Sequence, residues 1–320
     1  MLPVLTSLLH GALPASACET FGQETILADL AHPDLAESSG LAASRETPGA
    51  LWTHDDSGEA VLFRFTLDGT ITRHGFDAAG NRDWEDLAAA DCPGAGTCLY
   101  VGDIGEDRSD PSEIRVFVGR EPRGDGLITL VERWNLLWPG GSGRDAETLL
   151  VHPCTLDAWV VTRGATTEVF RIPDERGPKP SELIPVATLD VDEPITSGDF
   201  SPDGTSLVLR SDTSVWRYRV ALDDLDAHWS QPPERLFDLI RTGEAIAWDL
   251  DGDLLVTDEG QPTPVGRIAC EDPPPLVCEA PGRCGCTTSP VSAAWFSPAV
   301  LLCLWARRRW SGSGAARRRR

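Results

Sequence analysis

Positive charge is scarce in this chain. It has 28 Lys and Arg against 50 Asp and Glu, a net charge of −22 over 320 residues. Seven of the Arg, Arg307 to Arg309 and Arg317 to Arg320, lie in the last 14 residues, so the rest of the chain carries −29. A body of that sign repels nucleic acid and anionic lipid and favours cations. Acidity also keeps an exported protein soluble. A helical period is missing from the body, which excludes a helical fold. Gly-x-Ser-x-Gly, His-Glu-x-x-His and Gly-rich phosphate loops are missing too, which removes the commonest signatures of serine hydrolases, zinc proteases and P-loop enzymes. Tyr is nearly absent, 2 residues against 11 Trp. Trp52, Trp84, Trp159, Trp216 and Trp248 fall in or beside apolar runs and read as packing residues.

What is present at the two ends reads as addressing rather than fold. Residues 1–17 are apolar and close on Ala15-Ser16-Ala17, a small-x-small cleavage pattern, although no Lys or Arg opens the segment. Cys18 follows directly, placed either for a lipid or for a disulfide. Nine cysteines point to an oxidising compartment. Cys92 and Cys98 flank a short Pro-Gly-Ala-Gly-Thr turn and suit a local disulfide. A zinc reading would rest on Cys278, Cys284 and Cys286, which lie in a Pro-rich linker without a second ligand pair. Residues 271–290 form that linker. Residues 291–306 are apolar but shorter than the ~20 residues of a comfortable membrane span, and Arg307-Arg308-Arg309 follows.

The body, residues 18–270, repeats. Glu37, Glu85, Glu147, Asp199 and Glu244 each precede or enter a short apolar strand, at steps of 48, 62, 52 and 45 residues. Second and third strands follow each marker, and weaker fourth strands follow four of them. Turn signals such as Ser201-Pro202-Asp203-Gly204 and Asp251-Gly252-Asp253 punctuate them. Four-stranded antiparallel units at this period predict an all-β fold, a β-propeller of five four-stranded blades, with six as the alternative because of the 62-residue step. The fifth unit lacks a fourth strand, and residues 24–30 are expected to supply it, closing the ring with both chain ends.

Two resemblances rest on these residues. Gly285-Cys286, the short apolar segment and the Arg cluster together resemble the bacterial C-terminal sorting signals of the myxobacterial type (MYXO-CTERM). That implies a tail that is recognised at Cys286, cut, and a protein left on the outer surface or released; a single-span anchor is the alternative. Ser39-Gly40-Leu41-Ala42-Ala43-Ser44, Leu51-Trp52-Thr53-His54-Asp55-Asp56-Ser57-Gly58, Asp83-Trp84-Glu85-Asp86-Leu87-Ala88 and Gly102-Asp103-Ile104-Gly105 resemble a group of secreted bacterial propeller proteins. Glu106-Asp107 departs from that group's Asp-Asn.

In a propeller blade the first strand lines the channel, and its start lies beside the end of the antiparallel second strand. The marker acids Glu37, Glu85, Glu147, Asp199 and Glu244 are therefore expected to converge at one mouth. Asp55, Asp56, Asp103, Glu106, Asp107, Asp258 and Glu259 should join them, with Arg163 and Arg210. Crowded carboxylates repel unless a cation joins them, and Ca2+ tolerates irregular oxygen sites. Local loop capping is the competing role, strongest for Asp55 and Asp56 in their Asp-Asp-Ser-Gly turn. His54 adjoins the mouth as a conceivable base, whereas His152 belongs to the opposite face. Three function classes follow: a monomeric surface module binding a ligand or partner, a Ca2+-dependent lactonase or phosphoesterase, and a structural envelope protein. The module is preferred, because no nucleophile or base stands out.

If the ends are processed, the intact mass of surface-released protein will lack residues 1–17 and most of 291–320. A mature mass that retains Arg320 would refute tail processing.

Overall fold

The computed structural model describes residues 18–77, 80–106 and 112–273. Asp107, the 274–290 part of the linker, the tail and Cys286 lie outside the described residues. The strands form five sheets, each the blade of a β-propeller. Blade one runs Ser38–Ala43, Ala50–Asp55, Val61–Thr66 and Ile71–Gly75 from axis to rim. Blade two runs Trp84–Asp91, Thr97–Asp103, Glu113–Arg120 and Thr129–Leu137. Blade three is Ala146–Val151, Ala158–Thr162, Glu168–Ile172 and Ile184–Thr188. Blade four is Ile195–Phe200, Ser206–Ser211, Ser214–Arg219 and Glu234–Asp238.

Blade five is completed from both chain ends. Ala245–Trp248, Leu254–Thr257 and Thr263–Cys270 are followed at the rim by Phe21–Leu30, paired antiparallel to the last of them. The expected closure is therefore present, and the count is five. The long step in blade two is absorbed by its 8- and 9-residue outer strands and the turn at Pro139–Gly141, without a sixth sheet. Ser181–Glu182 leaves blade three and pairs in parallel with the rim strand of blade two, covering an otherwise open edge.

Apolar residues fill the spaces between blades. One cluster joins blades two and three through Tyr100, Trp134, Trp138, Leu149 and Phe170, and another joins blades three and four through Trp159, Phe200, Leu209 and Trp216. All five tryptophans singled out above are buried. Every residue of Ser38–Ala43, Ala146–Val151 and Ala245–Trp248 is buried as well. These innermost strands touch their neighbours in sequence around the axis and so line the channel.

Cys92 and Cys98 form the expected disulfide, Cα–Cα 4.9 Å, across the turn at the far end of blade two's first strand. Cys18 pairs with Cys270 across 252 residues and is fully buried. That decides its fate in favour of a disulfide over a lipid, since a thioether would need the same sulfur. Closing so long a loop stabilises by about 5 kcal/mol in the chain-entropy account, mainly by restricting the unfolded chain.

Replacing Cys18 and Cys270 together by Ser is accordingly expected to lower the guanidinium midpoint far more than replacing Cys92 and Cys98. Denaturation curves under non-reducing conditions check this, and equal losses would contradict the closure role.

Candidate acidic site at the channel mouth

The mouth is built where the first strands start. The register there is irregular in four blades, between Ser38 and Leu41, Trp84 and Asp86, Ala146 and Thr148, and Ile195 and Ser197. A bulge leaves one residue out of the ladder and re-aims its side chain. Glu85 and Glu147 hold the bulges of blades two and three, and Glu244 immediately precedes blade five's first strand. In blades one and four the bulge falls on Ser39 with Gly40 and on Thr196. These positions meet across the axis. Ser39 Oγ donates to Glu244 Oε2 at 3.4 Å, and Thr196 Oγ1 donates to the Glu244 carbonyl at 2.9 Å. Arg163 Nη1 reaches Glu147 Oε1 at 2.8 Å and Glu244 Oε1 at 3.5 Å.

Glu85, Glu147 and Glu244 are thus brought together as expected, while Glu37 and Asp199 are not. Glu37 precedes the strand and is exposed, and it groups instead with Asp55 and Asp56, their carboxylate oxygens within 4.8 Å of one another. Asp199 lies three residues past its bulge, deeper along the strand. There it accepts the Trp248 N–H at 2.9 Å, and burial, partly offset by that bond, raises its pKa to about 7. It borders a small pit with Ala42, Ala89 and Leu250 instead of the mouth.

The second-strand acids are pinned. Asp55 accepts the N–H groups of Ala36 and Glu37 at 2.8 and 3.1 Å. Asp103 does the same for Arg82 and Asp83 at 3.1 and 3.0 Å. Both cap the loop that enters their blade. Asp258 pairs with Arg210 at 3.0 Å and Arg241 at 3.1 Å. Arg210 is fully buried, its Nη1 donating to the carbonyls of Ala245 and Thr257, so it clamps blade four to blade five and does not face the mouth. His54 is fully buried beside Trp84, and burial lowers its pKa to about 4, so it packs inside the fold and does not face the mouth. His152 stays on the opposite face, bonded to the Gly204 carbonyl at 3.1 Å.

Electrostatics single out Glu85. It is 9% exposed, and among the described residues its carboxylate has no hydrogen-bond or ion-pair partner. Burial first, then the charges of Glu147, Asp83, Glu244 and Asp145, push its pKa up to about 10. Burial raises Glu147 to about 7 against the bond from Arg163. Burial, then Glu259, raises Glu244 to about 7. Asp83 was missing from the expected site. Its carboxylate and that of Glu85 lie over Gly105, close enough that a Cβ there would collide with both. The signal was available: Gly105 stands in the Gly-Asp-Ile-Gly motif, and Asp83 opens Asp-Trp-Glu-Asp. Asp145 and Asp212 add to the same field, Asp145 acting on Glu85 and Glu147, and Asp212 on Arg163 and Glu244.

The donor set is oxygen only, which suits a hard cation and not Zn2+ or Cu2+. Glu85, Glu147 and Glu244, with Asp83 alongside, are not gathered to within 4.8 Å of one another as Glu37, Asp55 and Asp56 are, so a cation would have to draw them together. As the side chains stand, Arg163 occupies the gap between Glu147 and Glu244, so a metal would share or take over those two carboxylates.

No protein-family model matches the chain, and no curated protein does. Among solved structures, the chain is similar to a glucose dehydrogenase, with TM-score 0.48 and 11% identity over 78% of this chain and 99% of that one. It is also similar to a gluconolactonase from Xanthomonas campestris, TM-score 0.44 and 15% identity over 79% and 91% of the two chains. A third is the soluble aldose sugar dehydrogenase of Escherichia coli, TM-score 0.43 and 12% identity over 79% and 100%.

A pH dependence follows. Raised carboxyls cost stability as pH climbs from their ordinary 4.5 through about 7 for Glu147 and Glu244, and on towards about 10 for Glu85. Buried His54 and His228, lowered from 6.5 to about 4, act oppositely but only below 6.5. In EDTA the melting temperature should therefore fall steadily above pH 6.5, and Glu85→Gln should flatten the alkaline part. A wild-type profile that is flat or rising there would contradict the buried carboxylate cluster.

Proposed function

We propose that this chain is an exported, surface-held β-propeller binding module whose channel mouth takes a divalent cation, with Ca2+ as the ion. The observation that carries the reading is the unpartnered carboxylate of Glu85, buried beside Glu147, Glu244 and Asp83 with Arg163 as the cation among them. Buried among other acids, Glu85 ionises only at a cost, which is what holds its pKa so high. A bound cation converts that cost into affinity, and a structural role alone gives no reason to keep it. When bound, Ca2+ would supply positive charge and open coordination positions through which an external ligand's oxygens could be held.

The same geometry favours binding over a Ca2+-dependent hydrolase. Arg210 is consumed by carbonyls and Asp258, and His54 is fully buried, so neither is presented to an anionic substrate. Export and surface retention draw their support from the end segments, and the Cys18–Cys270 and Cys92–Cys98 disulfides suit an oxidising compartment.

Calorimetric titration of the 18–290 segment is expected to show Ca2+ binding, and the melting temperature should rise with Ca2+ relative to EDTA. At a hundredfold excess over the dissociation constant the gain is about 2.7 kcal/mol. Glu85→Gln keeps the size but lowers the attracting charge, so it should lose most of this gain while being neutral or stabilising in EDTA. No binding heat, together with superimposable melts in EDTA and Ca2+, would overturn the reading.

A further inference from the structure

We propose that Arg163 is a built-in counter-cation of the mouth that a divalent ion must displace, so that this one side chain sets the site's cation affinity. The inference rests on reading the mouth as a cation site. Its own basis is the geometry around the guanidinium. Nη1 lies 2.8 Å from Glu147 Oε1 and 3.5 Å from Glu244 Oε1, bridging carboxylates from blades three and five. A guanidinium and a metal ion cannot both fill that gap. Buried Glu85 lies in the same cluster beyond the reach of Arg163, so the mouth offers a third carboxyl that the arginine does not engage.

Arg163 and Arg210 differ in what holds them. Arg210 is 0% exposed and bonded to three backbone carbonyls as well as to Asp258, so it cannot leave without stranding buried acceptors. Arg163 has a side chain 34% exposed, over Glu147 and Glu244 at 8% and 15%. Its backbone N–H is fixed to the Asp145 carbonyl at 2.9 Å, so the strand end stays in place while the side chain is free to turn toward solvent. The arginine therefore lies on the solvent side of the carboxylates it bridges, on the path by which an ion enters. Each state satisfies the glutamates, by arginine in the free protein and by metal in the loaded one. The observed affinity is the intrinsic affinity reduced by the fraction of molecules in which Arg163 has moved aside.

The test compares wild type, Arg163→Met and Arg163→Lys by calorimetry with CaCl2 and by melting in EDTA and in Ca2+. Arg163→Met keeps the apolar stem and removes the competitor. It should bind Ca2+ about tenfold more tightly or better, melt lower than wild type in EDTA, and recover to at least the wild-type temperature when saturated. Arg163→Lys keeps a charge that cannot bridge both carboxylates, so its affinity should fall between the two; it also supplies the comparison if Arg163→Met does not fold without the ion. Ca2+ binding by wild type with equal or weaker binding by both variants would overturn this proposal and leave the cation site standing. Failure of all three chains to bind Ca2+ would overturn the cation site and this proposal with it.

Discussion

Five inner strands share one axis, and the need to satisfy their polar groups there shapes the molecule. Asp86 is the centre of that arrangement. It is fully buried, and its carboxylate accepts the Leu87 N–H at 2.9 Å, the Leu149 N–H of blade three at 2.9 Å and Ser197 Oγ of blade four at 3.1 Å. Ser197 Oγ in turn accepts the Ile246 N–H of blade five at 3.3 Å. Blades two to five are thereby joined through side chains on the axis. Close approach demands small residues nearby: a Cβ on Gly40 would run into the His54 ring and the backbone of Asp86 and Leu87. With the channel filled by this network, longer polar side chains are accommodated only at its ends, and the three glutamates collect at one of them.

That arrangement holds only while the ring is closed. Phe21–Leu30 completes blade five, and Cys18–Cys270 seals the pairing, with Asp272 accepting the N–H groups of Glu19 and Thr20 at 3.2 and 2.9 Å. Arg217 extends the seal into blade four by donating to the Cys18 carbonyl at 2.7 Å. If the closing blade separated, Glu244 would leave the cluster and Arg210 would lose the carbonyls of Ala245 and Thr257. Site geometry and global stability are thus coupled through the same blade.

The fold was legible because its signals are local and repeated. Strand runs, turn glycines and the missing fourth strand of the last unit are each visible within a few residues, and together they determine blade number and closure. The pairing across the Cys92–Cys98 turn was legible for the same reason, whereas Cys270 as the partner of Cys18 appears only once the ends meet. The site was legible in part. Glu85, Glu147 and Glu244 follow from their place in the repeat. Glu37 and Asp199 carry the right chemistry at the wrong phase, because a bulge shifts which residue faces the axis and leaves no mark in composition. Ser39 and Thr196 hold those two places, and neither looks like a site residue in isolation. Asp55, Asp103 and Asp258 are where hairpin geometry puts them, but their oxygens are taken by loop N–H groups and arginines, and sequence spacing does not reveal that.

Arg163 and Arg210 bring the same difficulty to its sharpest form. They stand at similar places in consecutive blades, and as sequence they are interchangeable. Burial separates them. A fully enclosed guanidinium must have its donors met by fixed acceptors, and for Arg210 the backbone supplies them, which makes it part of the frame. A guanidinium at the water boundary needs no such commitment, since solvent can replace any partner it leaves. Only the second kind can exchange with an ion. The chain thus uses one residue type for opposite ends, rigidity between blades and exchangeability at the mouth, and the difference lies in a few ångströms of depth that no repeat alignment contains.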